Sequence, residues 1–134
     1  MATYNKFNSF VEALAEKVHN LGSDTLKVAL TNSAPAATMT KLSELTGAIA
    51  SPALDSVTLT VSSSGQTSGT YKLVVADKTM TASGAVGPFR YVAIYNDTAT
   101  NKELICFFDY GSEVTLASGD TFTLDFGTEL FSLA

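Results

Sequence analysis

"VGPFRYVAIYND", residues 86–97, decides the fold. Alternation puts Phe89, Tyr91, Ala93 and Tyr95 on one face and Arg90, Val92, Ile94 and Asn96 on the other. Both faces are largely apolar, whereas a strand with one wet face shows a polar side. After the polar turn "NDTATN", the stretch "KELICFFDY" (102–110) repeats the pattern, with Leu104, Cys106 and Phe108 against Ile105 and Phe107. Two such runs joined by a short turn predict a hairpin that must be covered on both faces. One face belongs to an opposing sheet. The other is expected to lie under an N-terminal helix, a neighbouring subunit, or both.

Outward from this hairpin the period stays at two. "DTLKVALT" places Leu26, Val28 and Leu30 on one side, and "DSVTLTV" does the same with Val57, Leu59 and Val61. "GTYKLVVA", "SEVTL", "DTFTLDF" and "TELFSL" complete about eight short strands of the kind that build sandwiches and barrels. "VSSSGQTSGT" reads as a flexible loop, and "TASGAVG", "DYGS" and "ASGD" as turns. "MTKLSELTGAIAS" has room for one short helical turn. In the first twenty residues the period is helical: Phe7, Phe10, Val11, Leu14, Val18 and Leu21 form one stripe, with Asn5 as candidate N-cap and Gly22 as candidate C-cap. The expectation is a mainly β chain, an antiparallel β-sandwich of jelly-roll-like type with one N-terminal α-helix. It forms a single domain over 1–134, with arm and helix in 1–22 and the sandwich in 24–134.

Composition narrows function. The chain is 46% hydrophobic and 16% charged, against about 25% charged in an average soluble domain. A net charge of -5 with eight scattered basic residues excludes the clustered Lys and Arg that neutralise nucleic-acid phosphates. No apolar run is long enough to span a membrane, and "MATYNKFNSF" lacks the charged start and apolar stretch of a secretory signal, so none is expected. The single cysteine, Cys106, lies within "LICFF" and reads as a buried thiol. The single histidine, His19, reads as an exposed helix-end residue.

Chemistry needs groups that converge, and the spacings offer none. One His and one Cys assemble neither a zinc site nor a nucleophile pair, there is no G-x-S-x-G elbow, and the Asp residues lack calcium-loop spacing. "DFG" at 125–127 lacks every other kinase element. No enzyme activity, cofactor or metal is therefore expected. Arg90 and Asp109 come within diagonal reach across the hairpin and are expected to pair. Tyr71, Tyr91, Tyr95 and Tyr110 leave a carbohydrate site conceivable, provided that they are exposed.

The runs "YNKFNSFVEALAEKVHNLGSDTLKVALTNSAP", "GPFRYVAIYND" and "FFDYGSEVTLASGDTFTLDF" resemble, in matching order, small virion structural proteins of tailed bacteriophages. Those relatives carry a longer glycine-rich stretch where this chain has "LSELTGAIASPALDSVTLTV". The resemblance implies a head decoration or cement protein, made in the host bacterial cytoplasm and carried on the capsid exterior. Such a protein binds the major capsid protein and bridges its neighbouring subunits, without nucleic acid or membrane, as a homo-oligomer with a trimer favoured. The candidate interface residues are Tyr4, Lys6 and Phe7 of the arm, and Arg90, Val92, Ile94 and Phe107 of the hairpin face. The alternative is a tail- or fibre-associated module that recognises a host-surface glycan.

Overall fold

The computed structural model describes residues 3–49 and 52–134. Its elements run β1 (Thr3–Lys6), α1 (Ser9–Ala15), β2 (Leu26–Thr31), a 3-10 turn (Leu42–Glu44), β3 (Val61–Thr67), β4 (Thr70–Val75), β5 (Lys78–Thr81), β6 (Val86–Asn96), β7 (Leu104–Leu116), β8 (Thr121–Leu124) and β9 (Phe131–Leu133). The chain is mainly β, with antiparallel ladders, about nine strands and one α-helix in a sandwich-like arrangement. The strands group as β1-β7-β6-β2, β3-β4-β9 and β5-β8.

The β6–β7 hairpin is the centre of the four-stranded sheet. On its inner face Val92, Ile94, Cys106 and Phe108 meet Leu73 and Val75 of β4, Met80 of β5 and Leu124 of β8 in the main core. On its outer face Tyr91, Ala93, Tyr95, Leu104 and Phe107 form a second cluster with Phe7, Ala29 and Leu45. The cover for this outer face comes from within the chain, from the segment that follows β2. That segment starts beside β7, where Leu104 N–H donates to Thr40 O (3.0 Å). It ends on β2, where Leu30 and Ile49 exchange both backbone bonds (3.1 and 2.7 Å). Along this segment Met39, Leu42, Leu45 and Ala48 pack on the outer cluster. This corrects the expectation of a helical or intersubunit cover: α1 packs through Phe10 and Leu14 on the main core instead.

Three register shifts interrupt the hairpin ladder, one of them between Val86 and Phe89 near its open end, and the other two are bulges that re-aim its side chains. Ile94 pairs with Cys106 but Tyr95 with Leu104, so Ile105 is the extra residue. This turns Ile105 to the main core beside Cys106, while Leu104 and Phe107 share the outer cluster, so strict alternation fails there. Further on, Tyr91 pairs with Asp109 and Phe89 with Val114. "DYGS", expected as a turn, is thus a bulge inside one 13-residue strand. Gly111 supplies a left-handed φ of 79° at this bulge.

The N-terminal helix is shorter than its periodicity suggests. Residues 3–6 pair with β7, Tyr4 opposite Phe108 and Lys6 opposite Cys106, because the free edge of β7 offers hydrogen bonds to extended chain. Asn5 therefore sits in a strand, and Asn8 occupies the cap position. Phe7 and Phe10 enter different clusters, so the stripe read from the sequence divides between two cores. After Ala15 a Schellman-type closure ends the helix: Val18 N–H reaches Ala13 O (2.9 Å) while Lys17, rather than Gly22, takes the left-handed position (φ 69°). Two further expectations are corrected. The "flexible loop" 61–70 is β3 and a two-residue turn, with positive φ at Ser68 and Gly69 (52° and 83°). "DSVTLTV" joins the edge of β2 only through single bonds such as Leu59 N–H to Leu26 O (2.9 Å).

Two outcomes follow. Deleting residues 1–6 removes a paired strand and the Tyr4–Phe108 edge contact (5.7 Å), and should lower unfolding stability by about 2 kcal/mol or more in urea titration. Lys17→Gly relieves a side chain held at positive φ and should raise stability by up to about 1 kcal/mol.

Candidate interaction surface

Among the described residues, the large apolar side chains that the fold leaves exposed are Tyr4 (36%), Val11 (50%), Val18 (36%) and Leu133 (52%). All four belong to the N-terminal corner, where the open edge of β1, the outer face of α1 and the edge strand β9 come together. Two grooves meet there. The first, about 510 Å³, runs between β1 and β9 over Phe10, Val11 and Leu14, with Lys6 and Glu129 at its sides. The second, about 660 Å³, is lined by Leu14, Val18, Leu21, Asp24, Ser64, Tyr71, Thr98 and Leu133. Leu14 and Leu133 border both, so the apolar strip is continuous.

Of the sequence-predicted interface residues, Tyr4 and Lys6 lie together on this corner and are exposed. Phe7, Val92 and Ile94 are fully buried and Phe107 nearly so. They hold the two cores, which corrects the contact reading for Phe7 of the arm and the uncovered-face reading for Val92, Ile94 and Phe107 of the hairpin. Arg90 lies elsewhere, at the second bulge, where its Nε and NH2 donate to the two carboxylate oxygens of Asp109 (2.8 and 3.2 Å), the pairing expected from the sequence. Its guanidinium also lies 5.3 Å from the Tyr91 ring centre. The Arg90 bonds, with the Gly111 N–H, hold the Asp109 carboxyl below the usual carboxylate range.

The second groove rests on a polar node that the sequence reading missed. His19 is buried (5% exposed), not a helix-end surface residue. Asn96, fully buried at the end of β6, organises it. Its Oδ1 accepts the N–H groups of Thr98 and Ala99 (3.0 and 3.2 Å), closing the hairpin turn. Its Nδ2 then faces His19 Nδ1 (2.9 Å) and Asp24 Oδ2 (2.6 Å). Because Nδ2 can only donate, His19 Nδ1 must accept, which fixes the neutral tautomer with its proton on Nε2. Nε2 is buried and has no partner within the chain among the described residues. Burial holds the imidazole below its ordinary pKa, against the opposing pull of Glu103 and Asp24. The signal available in the sequence was parity: Asn96 falls on the same face as Val92 and Ile94, which points an amide inward. Cys106 is fully buried, as expected, and burial pushes its thiol pKa up.

No family model, curated protein or solved structure matches this chain significantly.

The node makes a pH prediction. A folded-state pKa below the unfolded value of about 6.5 means that the unfolded chain binds the proton more readily. The stability contributed by neutral His19 is therefore complete above that pH and declines as pH falls below it, toward the folded pKa. His19 is the chain's one histidine, so urea midpoints recorded from pH ~7.5 down to ~5.5 should fall in the native protein and stay nearly level in His19→Phe. Asn96→Ala strands the turn N–H groups and should cost about 3 kcal/mol at pH 7.

Proposed function

We propose that the protein is a non-enzymatic structural component of a tailed-bacteriophage virion, a decoration or cement protein. It binds the outside of the assembled capsid and bridges neighbouring major-capsid subunits. The observation that carries this reading is the N-terminal corner. An otherwise well-buried chain presents an apolar strip beside an unpaired strand edge, and such a patch is the usual mark of a protein contact. The sequence resemblance to small virion proteins supplies the partner class. Tyr4 and Lys6 on the open edge of β1 are the capsid contact. An edge strand offers backbone hydrogen bonds to an extended segment, while Tyr4 adds amphipathic area. Each contact is small, but a shell presents many equivalent sites, so modest interfaces together stabilise the particle.

A second reading, a module that recognises a host-surface glycan, is favoured by one feature. The larger groove sets Tyr71, whose hydroxyl lies 2.8 Å from Ser64 Oγ, beside Asp24 and Thr98. Hydroxyl-rich ligands are bound by such mixtures of an aromatic ring with donors and acceptors.

The deciding experiment is co-sedimentation with shells of the major capsid protein of the encoding phage, alongside a glycan array. Saturable binding to shells, with a rise in shell melting temperature, supports decoration. Tyr4→Ala/Lys6→Glu should weaken that binding at least tenfold while leaving the fold intact by circular dichroism. Failure to bind shells, with saccharide binding that Tyr71→Ala abolishes, would replace the first reading by the second.

A further inference from the structure

Beyond the two grooves that touch α1 lies a third, of about 550 Å³, which no helix residue lines. Its wall is aromatic. Tyr4 of β1 meets Phe108 of β7 edge-on (5.7 Å between ring centres), and Phe108 meets Phe126 (5.9 Å). Tyr110, half-buried, completes the wall. The charged residues that border the groove are both acidic, Asp125 and Glu129, from the segment between β8 and β9. Glu129 is shared with Lys72 (3.3 Å), whereas Asp125 is exposed and, among the described residues, enters no ion pair. Asp125 Oδ1 accepts the Gly127 N–H (2.8 Å), which holds the carboxylate in place. Its charge is felt at the wall: burial first, and then Asp125, push the Tyr110 phenol up to about 12. Aromatic faces carry the negative part of the ring quadrupole, so rings beside carboxylates attract a cation and also cover its apolar stem.

The groove adjoins an open strand edge. Phe7 N–H donates to Ile105 O (3.2 Å). By the alternation of an antiparallel ladder, Thr3 and Asn5 then also bond to β7, while Tyr4 and Lys6 turn their backbone groups outward. A segment pairing with them sets the side chain opposite Tyr4 on the same face as Tyr4. We propose that this groove receives a basic side chain carried by an extended segment of a partner protein. The segment pairs with the open edge of β1, and its cation lies along Tyr4 and Tyr110 toward Asp125. Arginine suits the site better than lysine, because its planar guanidinium stacks on rings and takes a carboxylate at the same time. Charge selects the occupant. The groove is bordered by carboxylates and by no basic residue, and a chain of net charge -5 draws a basic segment in from a distance. An acidic segment would gain the same strand hydrogen bonds but meet like charge in the groove. The inference extends the β1 contact proposed above by naming what the partner presents, and it stands whichever protein presents it.

The probe is the acetylated, amidated peptide Val-Thr-Arg-Thr-Val, titrated into the isotope-labelled full chain and followed by amide NMR shifts. Saturable shifts at Tyr4, Tyr110 and Gly127 are expected. Replacing the arginine by citrulline, which keeps its shape and removes its charge, should weaken binding by about fivefold. Asp125→Asn keeps an oxygen for the Gly127 N–H. It should weaken the arginine peptide by about fivefold and leave the citrulline peptide within about twofold. No shift at ~5 mM peptide, where a millimolar affinity fills most sites, overturns the proposal. So does an arginine peptide bound no better than its citrulline form, or one indifferent to Asp125→Asn. Acetyl-arginine amide bound as tightly as the peptide overturns it too, because the strand edge then plays no part. No capsid enters these measurements, so their failure is a separate result from a failure to bind shells.

Discussion

The β6–β7 hairpin buries side chains on both faces, and that demand organises the molecule. Val92, Ile94, Cys106 and Phe108 need an opposing sheet; Tyr91, Ala93, Tyr95, Leu104 and Phe107 need a second cover. Each large aliphatic or aromatic side chain removed from water contributes about 1.5–3 kcal/mol, so leaving either face open would cost more than a small domain's whole margin. The chain meets the first demand with two separate ladders, β3-β4-β9 and β5-β8. It meets the second with residues 37–49, an irregular segment anchored at one end on β7 and at the other on β2. Thr31 Oγ1 bonded to Thr46 O (2.7 Å) fixes the same segment near its end.

This division has a consequence at the N-terminus. With the outer face already covered, the first residues are free to pair with β7, and the helix is left as a short plug over the end of the sandwich. Phe10 fills the core there, against Phe131 (5.1 Å between ring centres). Val11, on the outer side of α1, is left half-exposed. The His19–Asn96–Asp24 node fixes the position of the segment that follows the helix. One buried amide ties it to the hairpin turn, so the exposed strip is carried on a braced element. A contact surface on a braced element loses less conformational entropy on binding than one on a mobile loop.

The strands that bury one or both faces were legible in the sequence. Leu26, Val28 and Leu30, the whole of β6, and the Arg90–Asp109 pair all follow from period two and hairpin register. So does the short helical turn in 39–51, placed at Leu42–Glu44; its last residues, Ala50 and Ser51, lie outside the described residues. The failures have particular causes. β3 is exposed along almost its entire length, so no hydrophobic period marks it, and only the "SG" turn gave a hint. The helix was over-extended because apolar residues spaced for a helix also suit a strand followed by a short helix, and pairing with β7 decided between them. Bulges at Ile105 and at 110–113 broke an alternation that the sequence alone presents as regular. The interface list failed where it assumed that a two-sided strand lacks an internal cover. Hydropathy does not distinguish cover supplied by an irregular segment of the same chain from cover supplied by another molecule.

The central claim is that one chain closes both faces of its own hairpin. Native-state amide hydrogen exchange at low micromolar concentration tests it most directly, read at residues 91–95 and 104–108. Protection at the level of global unfolding, unchanged on further dilution, is the predicted result. Exchange that accelerates on dilution, or that proceeds by local opening of the outer face, would mean that the cover comes from a neighbouring molecule.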